Sequence, residues 1–259
     1  MRKTETGLKT VIYLLIMLIC GLFLPSCKKS TEQAQSPKEK TDTSTTQETT
    51  EKTTTQTTSE AKMVPLEIKL PKPMFVGTPT NISGVANLMK PLGKPRPLML
   101  VPEGTTNVAF GKSVTSSYDE PIIGNFELVT DGDKEAIEGS YVELGFGKQS
   151  ITIDLGAEYN IYAIVVWHSH KEQTVYFDVA VQVAEDPDFV TAVMVFNNDI
   201  DNSLALGKGD DMHYVETNEG KLIDAKGQEA RYVRLWSNGN NAEDFNHYTE
   251  VEVYGKPAE

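Results

Sequence analysis

Four histidines, His168, His170, His213 and His247, are the side chains best suited to acid–base or metal chemistry in this 259-residue chain. His168 and His170 stand two apart, which on an extended strand directs both imidazoles to one face, as some zinc sites require. A third ligand would have to come from elsewhere, because no His-Glu-x-x-His pattern or Cys pair accompanies them. A small metal-dependent hydrolase is therefore the weakest of three functional readings. The segment 168–171, ending in Lys171, is expected instead to be a binding loop between two strands, with a solvated hairpin tip as the alternative. A second polar stretch, NGNNAEDFNHY at 238–248, sets Asn240, Asn241 and His247 beside aromatic rings. Groups that donate and accept, next to rings that pack on C–H faces, suit a neutral sugar. Asn/Gly clusters are also ordinary turn material. Glu143 is a further ligand-binding candidate. Paired with Asp178 it could act as two carboxylates, but nothing in the sequence sets them at glycosidase spacing. No Gly-x-Ser-x-Gly, P-loop or dinucleotide fingerprint occurs.

The elements that must position these residues are strands. From residue 104 onward, short β-type runs alternate with Gly/Asp/Asn clusters: SITID at 150–154, IYAIVVW at 161–167, YFDVAVQVA at 176–184, 193–196, RYVRLW at 231–236 and TEVEVY at 249–254. Each is rich in Val, Ile and aromatics and of strand length. DVAVQV alternates, which predicts one solvated face, whereas IYAIVV is nearly continuous, which predicts a strand covered on both sides. Trp167 and Trp236 read as core. No persuasive 3.6-residue apolar stripe appears, so the expected fold class is all-β, a β-sandwich.

Five phrases in this region resemble the discoidin domain (coagulation factor V/VIII type C). They are NVAFGKSVTSS at 107–117, LVTDGD at 128–133, ITIDLG at 151–156, ARYVRL at 230–235 and EVEVYG at 250–255, in family order over some 150 residues. The resemblance implies a jelly-roll sandwich of the galactose-binding-like superfamily, with binding loops at one end. It also implies a structural Ca²⁺ between the Asp-Gly-Asp loop and the terminal strand. Carried over, Asp131 and Asp133 supply carboxylates, Leu128 and Thr249 carbonyls, Ser140 a hydroxyl, and Glu250 closes the shell. Such hard oxygen donors are what Ca²⁺ takes, and Gly132 permits the tight turn. The alternative is a type I turn whose Asp side chains serve local N–H groups. In bacterial sugar-binding relatives, the hairpin equivalent to 168–171 presents a basic or His side chain to sugar hydroxyls. The family's Thr-x-Trp after the Asp-Gly-Asp loop is here Ser140-Tyr141, after an insertion.

The beginning of the chain predicts an address and an anchor. Arg2, Lys3 and Lys9 precede fourteen uncharged residues at 11–24. That length suits a signal-peptide core better than a span of the ~30 Å hydrocarbon layer. The Leu-Pro-Ser-Cys at 24–27 resembles a bacterial lipobox, which implies acylation of Cys27 after removal of 1–26. An ordinary secretory signal is the alternative. Residues 27–62 hold twelve Thr and read as a disordered tether. Residues 63–103 hold eight of the thirteen prolines and read as an extended spacer, free or packed on the domain.

Charge bounds the partners. The chain carries −13 overall, but 104–259 has ten basic against twenty-eight acidic residues. Phosphate backbones would repel so acidic a region, which excludes general nucleic-acid binding. With Cys20 and Cys27 both near the start, the folded region holds no disulfide. The leading expectation is a non-catalytic module that binds carbohydrate, as glycan or glycoprotein, outside a bacterial membrane, at the outer membrane or cell surface. The second is an adhesive or structural lipoprotein docking a protein partner.

Overall fold

The computed structural model describes residues 61–77 and 82–258. The expectations for the signal peptide, the lipidated Cys27 and nearly all of the tether lie outside these residues.

The fold is an all-β jelly-roll sandwich, and every ladder between its strands is antiparallel. Eleven strands are described: β1 Met63–Pro65, β2 Leu100–Pro102, β3 Thr106–Asn107, β4 Ser113–Ser116, β5 Val142–Leu144, β6 Gln149–Trp167, β7 Ala180–Ala184, β8 Val193–Asn197, β9 Lys221–Ser237, β10 Asn246–Tyr248 and β11 Glu250–Pro257. A 3-10 turn at Phe126–Val129 precedes the Asp-Gly-Asp loop.

One sheet of seven strands forms most of the molecule, in the order β3-β11-β6-β9-β7-β8 with β4 on β6. Two very long strands let this sheet fold over on itself. The runs 150–154 and 161–167, expected as separate strands, are one strand, β6. Register shifts interrupt it between Asp154 and Tyr159 and between Ile161 and Ala163. The Asp-Leu-Gly between the runs looks like a turn, but with Gly156 at φ +79° the chain bulges and resumes its pairing with β9 at Tyr159. Before the bulge β6 lies between β4 and β9; after it, between β11 and β9. Ile151, Ile153, Val181, Val183, Val233 and Leu235 from one half bury against Ile164, Val166, Ile223, Val251 and Val253 from the other. Alternation fixes which side chains point inward.

The second half of β6 is covered on both faces, as its continuous apolar sequence requires. Ala163, Val165 and Trp167 point away from the main core into a second cluster with Tyr254. What covers them is the proline-rich segment: Leu66, Ile68 and Met99 pack on this cluster. In that segment β1 pairs with β2, and the Leu66 N–H donates to the Met99 carbonyl at 2.8 Å. Trp167 is core, as expected. Trp236 is half-buried and donates its indole N–H to Gln182 Oε1 at 3.1 Å.

Candidate functional site

β5 and β10 form a separate two-stranded ladder, and its register places His247 opposite Glu143. Two of the expected binding residues, 104 apart in sequence, thereby meet: His247 Nε2 lies 3.1 Å from Glu143 Oε2. On its other side His247 Nδ1 lies 2.9 Å from the Tyr176 hydroxyl. With Glu143 a carboxylate, Nε2 carries the proton, so in the neutral imidazole Nδ1 accepts from Tyr176. Burial raises the Tyr176 phenol well above its ordinary range, which keeps it a donor. Tyr141 packs edge-on against His247 at 5.6 Å.

The same ladder leads outward to a ring platform. Phe146 and Phe245 stack with centroids 4.3 Å apart, and Phe146 is 65% exposed. Asn246 fixes the loop beneath by donating Nδ2 to the carbonyls of Gly145 and Gly147 at 2.8 and 2.9 Å. Phe146 was not among the residues singled out from sequence. Its setting, a lone Phe between two glycines in a polar stretch, is a signal that could have found it.

The other expected ligand residues have different places. His168 and His170 are not on the rim: both are buried, just past the end of β6. His168 Nδ1 lies 2.6 Å from Glu216 Oε1, and its ring stacks on Tyr176 at 4.4 Å. His170 Nε2 lies 2.8 Å from the Lys134 carbonyl. The expectation of a His-bearing surface loop is corrected accordingly, because Glu216 and the aromatic rings hold His168 inward and the Lys134 carbonyl holds His170. Lys171 is exposed at the loop tip. Asn240 is buried and holds the backbone, whereas Asn241 is exposed and uses its Oδ1 to hold the backbone. Asn241 Oδ1 accepts from the Val175 N–H, and Asn240 Oδ1 accepts from the N–H groups of Ala242 and Glu243. Asp178 and Glu143 engage different partners, Asp178 accepting from Ser203 and Asn238.

The Asp-Gly-Asp loop and the start of β11 do come together. The Gly132 N–H donates to Glu250 Oε2 at 3.1 Å, and Ser140 Oγ donates to Asp133 Oδ2 at 2.8 Å. The bonds of a simple turn are also present, since Asp131 Oδ1 takes the Asp133 N–H and Asp133 Oδ1 takes the Glu135 N–H. A turn does not account for Glu250, whose Oε1 is buried without a partner. Burial pushes its carboxyl up to about 9, and the charges of Glu252 and Asp131 add to this. An orphaned carboxylate oxygen beside further carboxylates and a hydroxyl is a donor set that fits a hard cation. Thr249 is buried beside it and donates Oγ1 to the His168 carbonyl at 3.3 Å; Leu128 sits in the 3-10 turn. Lys134 pairs with Glu252 behind the loop, its ammonium 5.2 Å from the Trp167 ring centroid.

Among the described residues, the acidic or His group whose ligand atoms gather within 4.8 Å is another one, Asp178, Asp199 and Asp201. Its oxygens already accept from local donors, including the N–H groups of Ser203 and Leu204. Neither His168 nor His170 belongs to such a group.

No protein-family model matches the chain, and no curated protein does. Solved structures resemble it at low identity. One is a truncated AlyQ with CBM32 and alginate lyase domains, 19% identical, TM-score 0.40, over 57% of this chain and 32% of that one. Another is a family 89 glycoside hydrolase from Clostridium perfringens, 21% identical, TM-score 0.43, over 59% of this chain and 15% of that one. A third is the fucose-binding module SpX-3 from Streptococcus pneumoniae, 18% identical, TM-score 0.41, over 57% of this chain and 97% of that one. The chain thus spans about a third or less of the first two. At this level of similarity, function is read from the chain's own residues.

Proposed function

We propose that the protein is a non-catalytic carbohydrate-binding module, held outside a bacterial membrane by lipid on Cys27. The observation that carries the binding role is the rim at the β5–β10 ladder. There a fixed His247–Glu143 pair and Tyr141 share the β5–β10 ladder end with the Phe146–Phe245 rings, of which Phe146 is exposed and Phe245 half-buried. Rings that accept the C–H face of a sugar, beside groups that exchange hydrogen bonds with hydroxyls, make a shallow site for a neutral sugar. Nothing in this rim supplies an activated nucleophile. The acid–base pair of the rim, His247 and Glu143, is occupied on both ring nitrogens, which suits recognition more than proton transfer.

Asp131, Asp133, Ser140 and Glu250 would hold a structural Ca²⁺. A bound ion would neutralise the buried Glu250 carboxylate and clasp the loop after the 3-10 turn to the terminal strand. The ion's place is structural, so sugar contact is left to the rim.

A glycan array run with and without chelator tests this function. Retention of a defined neutral sugar that is lost in Phe146→Ala supports it. A protein partner recovered by pull-down with no sugar retained would replace it with the adhesive reading.

A further inference from the structure

A groove of about 760 Å³ separates the proline-rich segment from the chain entering β9. Its walls are built, not incidental. Arg96 Nη1 donates to the carbonyls of Glu219 and Gly220 at 2.8 and 3.4 Å, and Asn218 Nδ2 donates to the Pro71 carbonyl at 3.0 Å. Phe75, Pro91 and Tyr214 supply apolar ring surface. Four cations, Lys90, Lys94, Arg96 and Lys221, line the groove, against a single acidic side chain, Glu219. None of the four forms an ion pair among the described residues. Lys221 lies over the rings of Phe196 and Tyr214, 4.7 and 4.9 Å from their centroids.

Three of the four cations come from the proline-rich segment and one, Lys221, from residues 104–259, which hold twenty-eight acidic residues and ten basic ones. Four cations against one lining carboxylate, none of the four in an ion pair among the described residues, define a field at the groove that draws anions. Burial lowers the pKa of both Arg96 and Lys221 from their ordinary values, so a bound anion would relieve a desolvation already imposed by the fold.

We propose that this groove is a second ligand site, for an acidic oligosaccharide of the uronate type. Its carboxylates would lie on Arg96, Lys221, Lys94 and Lys90, and its C–H faces on Phe75, Pro91 and Tyr214. The volume falls within the ~300–1,000 Å³ of small-molecule sites. Arg and Lys are the natural partners of carboxylates. Four cations spread along one groove call for several anionic groups, which a uronate chain supplies at one per sugar and a fatty or aromatic acid does not. An acidic peptide also carries several, but on flexible side chains whose ordering opposes binding. This site shares no residue with the rim, so it stands or falls apart from the function proposed above.

Isothermal titration of the full chain at low salt decides it, with trigalacturonate, a neutral galactose trisaccharide and hexaglutamate as probes. Trigalacturonate is expected to bind, to weaken with added salt, and to lose about tenfold or more in affinity in Arg96→Gln/Lys221→Gln, as charge-assisted contacts imply. Glu219→Gln is expected to tighten it, and His247→Ala to leave it unchanged. Because Arg96 also braces the wall, the exposed pair Lys90→Gln/Lys94→Gln provides a second arm, expected to weaken binding several-fold with unaltered melting temperature. Absence of trigalacturonate binding, binding indifferent to both double variants, or equal binding of hexaglutamate would overturn the proposal.

Discussion

His247 and Glu143 face each other across the β5–β10 ladder with Nε2 and Oε2 3.1 Å apart, and Tyr176 locks the opposite ring nitrogen from inside the core. The imidazole therefore cannot turn, and it reaches the rim already oriented.

A carboxylate pre-set by its imidazole partner costs little ordering entropy on binding a sugar, so its loss should be felt directly. Glu143→Gln is expected to weaken neutral-sugar binding about tenfold, the loss of a charge-assisted hydrogen bond from the carboxylate, and His247→Ala to weaken it similarly by releasing the carboxylate that His247 holds. Tyr176→Phe should weaken it less, because the ring stays in place while its orientation loosens. Titration calorimetry with the sugar retained on the array measures all three; equal affinities across the set would remove this pair from the site.

The proline-rich segment is expected to be part of the folded unit in solution. Leu66, Ile68 and Met99 cover Ala163, Val165, Trp167 and Tyr254, which would otherwise form an apolar patch on the outside of the sandwich. Ile68→Ala and Met99→Ala should each destabilise by about 1–2 kcal/mol, below the ~2–5 of a fully buried site because both are only partly covered. A chain beginning after residue 103 should aggregate. Urea unfolding and light scattering give the readouts.

Strand identity was legible wherever burial imposes a pattern. The unbroken IYAIVV run announced a doubly covered strand because no polar residue can occupy either face there. What covers the second face was not legible, since it lies some sixty to a hundred residues earlier. The first half of β9 escaped notice because LIDAKGQ mixes polar residues with the positive φ of Lys226 and Gly227. At the site, Glu143 and His247 could each be suspected from residue type, but their pairing depends on a cross-strand register. The burial of His168 was hidden because its deciding partner, Glu216, is 48 residues away. An imidazole pattern looks the same whether the rings face solvent or a buried carboxylate.

Gly220 is a single-atom test of how the groove wall is set. It sits at φ +63°, and an added Cβ would come within 2.6 Å of the Trp167 ring. That ring is immovable, buried and donating Nε1–H to the Asn218 carbonyl at 3.0 Å. Gly220→Ala thus combines an unfavourable backbone conformation with overpacking, each on the order of 1–3 kcal/mol. Thermal unfolding should shift down by several degrees, and a shift near zero would mean the turn relaxes without Trp167.

Anchoring is tested on Cys27. If acyl groups are attached at Cys27, cells labelled with a fatty-acid probe should yield a labelled protein that partitions into detergent, and Cys27→Ser should lose both properties. Release of an unlabelled wild-type protein into the medium would favour an ordinary secretory signal.

Glu250 links the proposed ion to pH. Its carboxyl is raised from 4.5 to about 9, chiefly by burial, so the fold favours the protonated form. A group with a folded pKa above its unfolded value contributes stability that is complete below about pH 4.5 and is lost as the pH rises toward 9. A bound cation would take over from the proton and restore that stability at neutral and alkaline pH. In chelator, wild-type protein should therefore melt at progressively lower temperature from pH 5 to pH 9, and millimolar Ca²⁺ should reverse the loss. Glu250→Gln keeps an acceptor for the Gly132 N–H and removes the charge. It should flatten the pH dependence over that window and abolish the Ca²⁺ effect. A wild-type melting curve indifferent to Ca²⁺ at pH 8 would leave Glu250 as a buried acid closing a turn, with no metal to explain it.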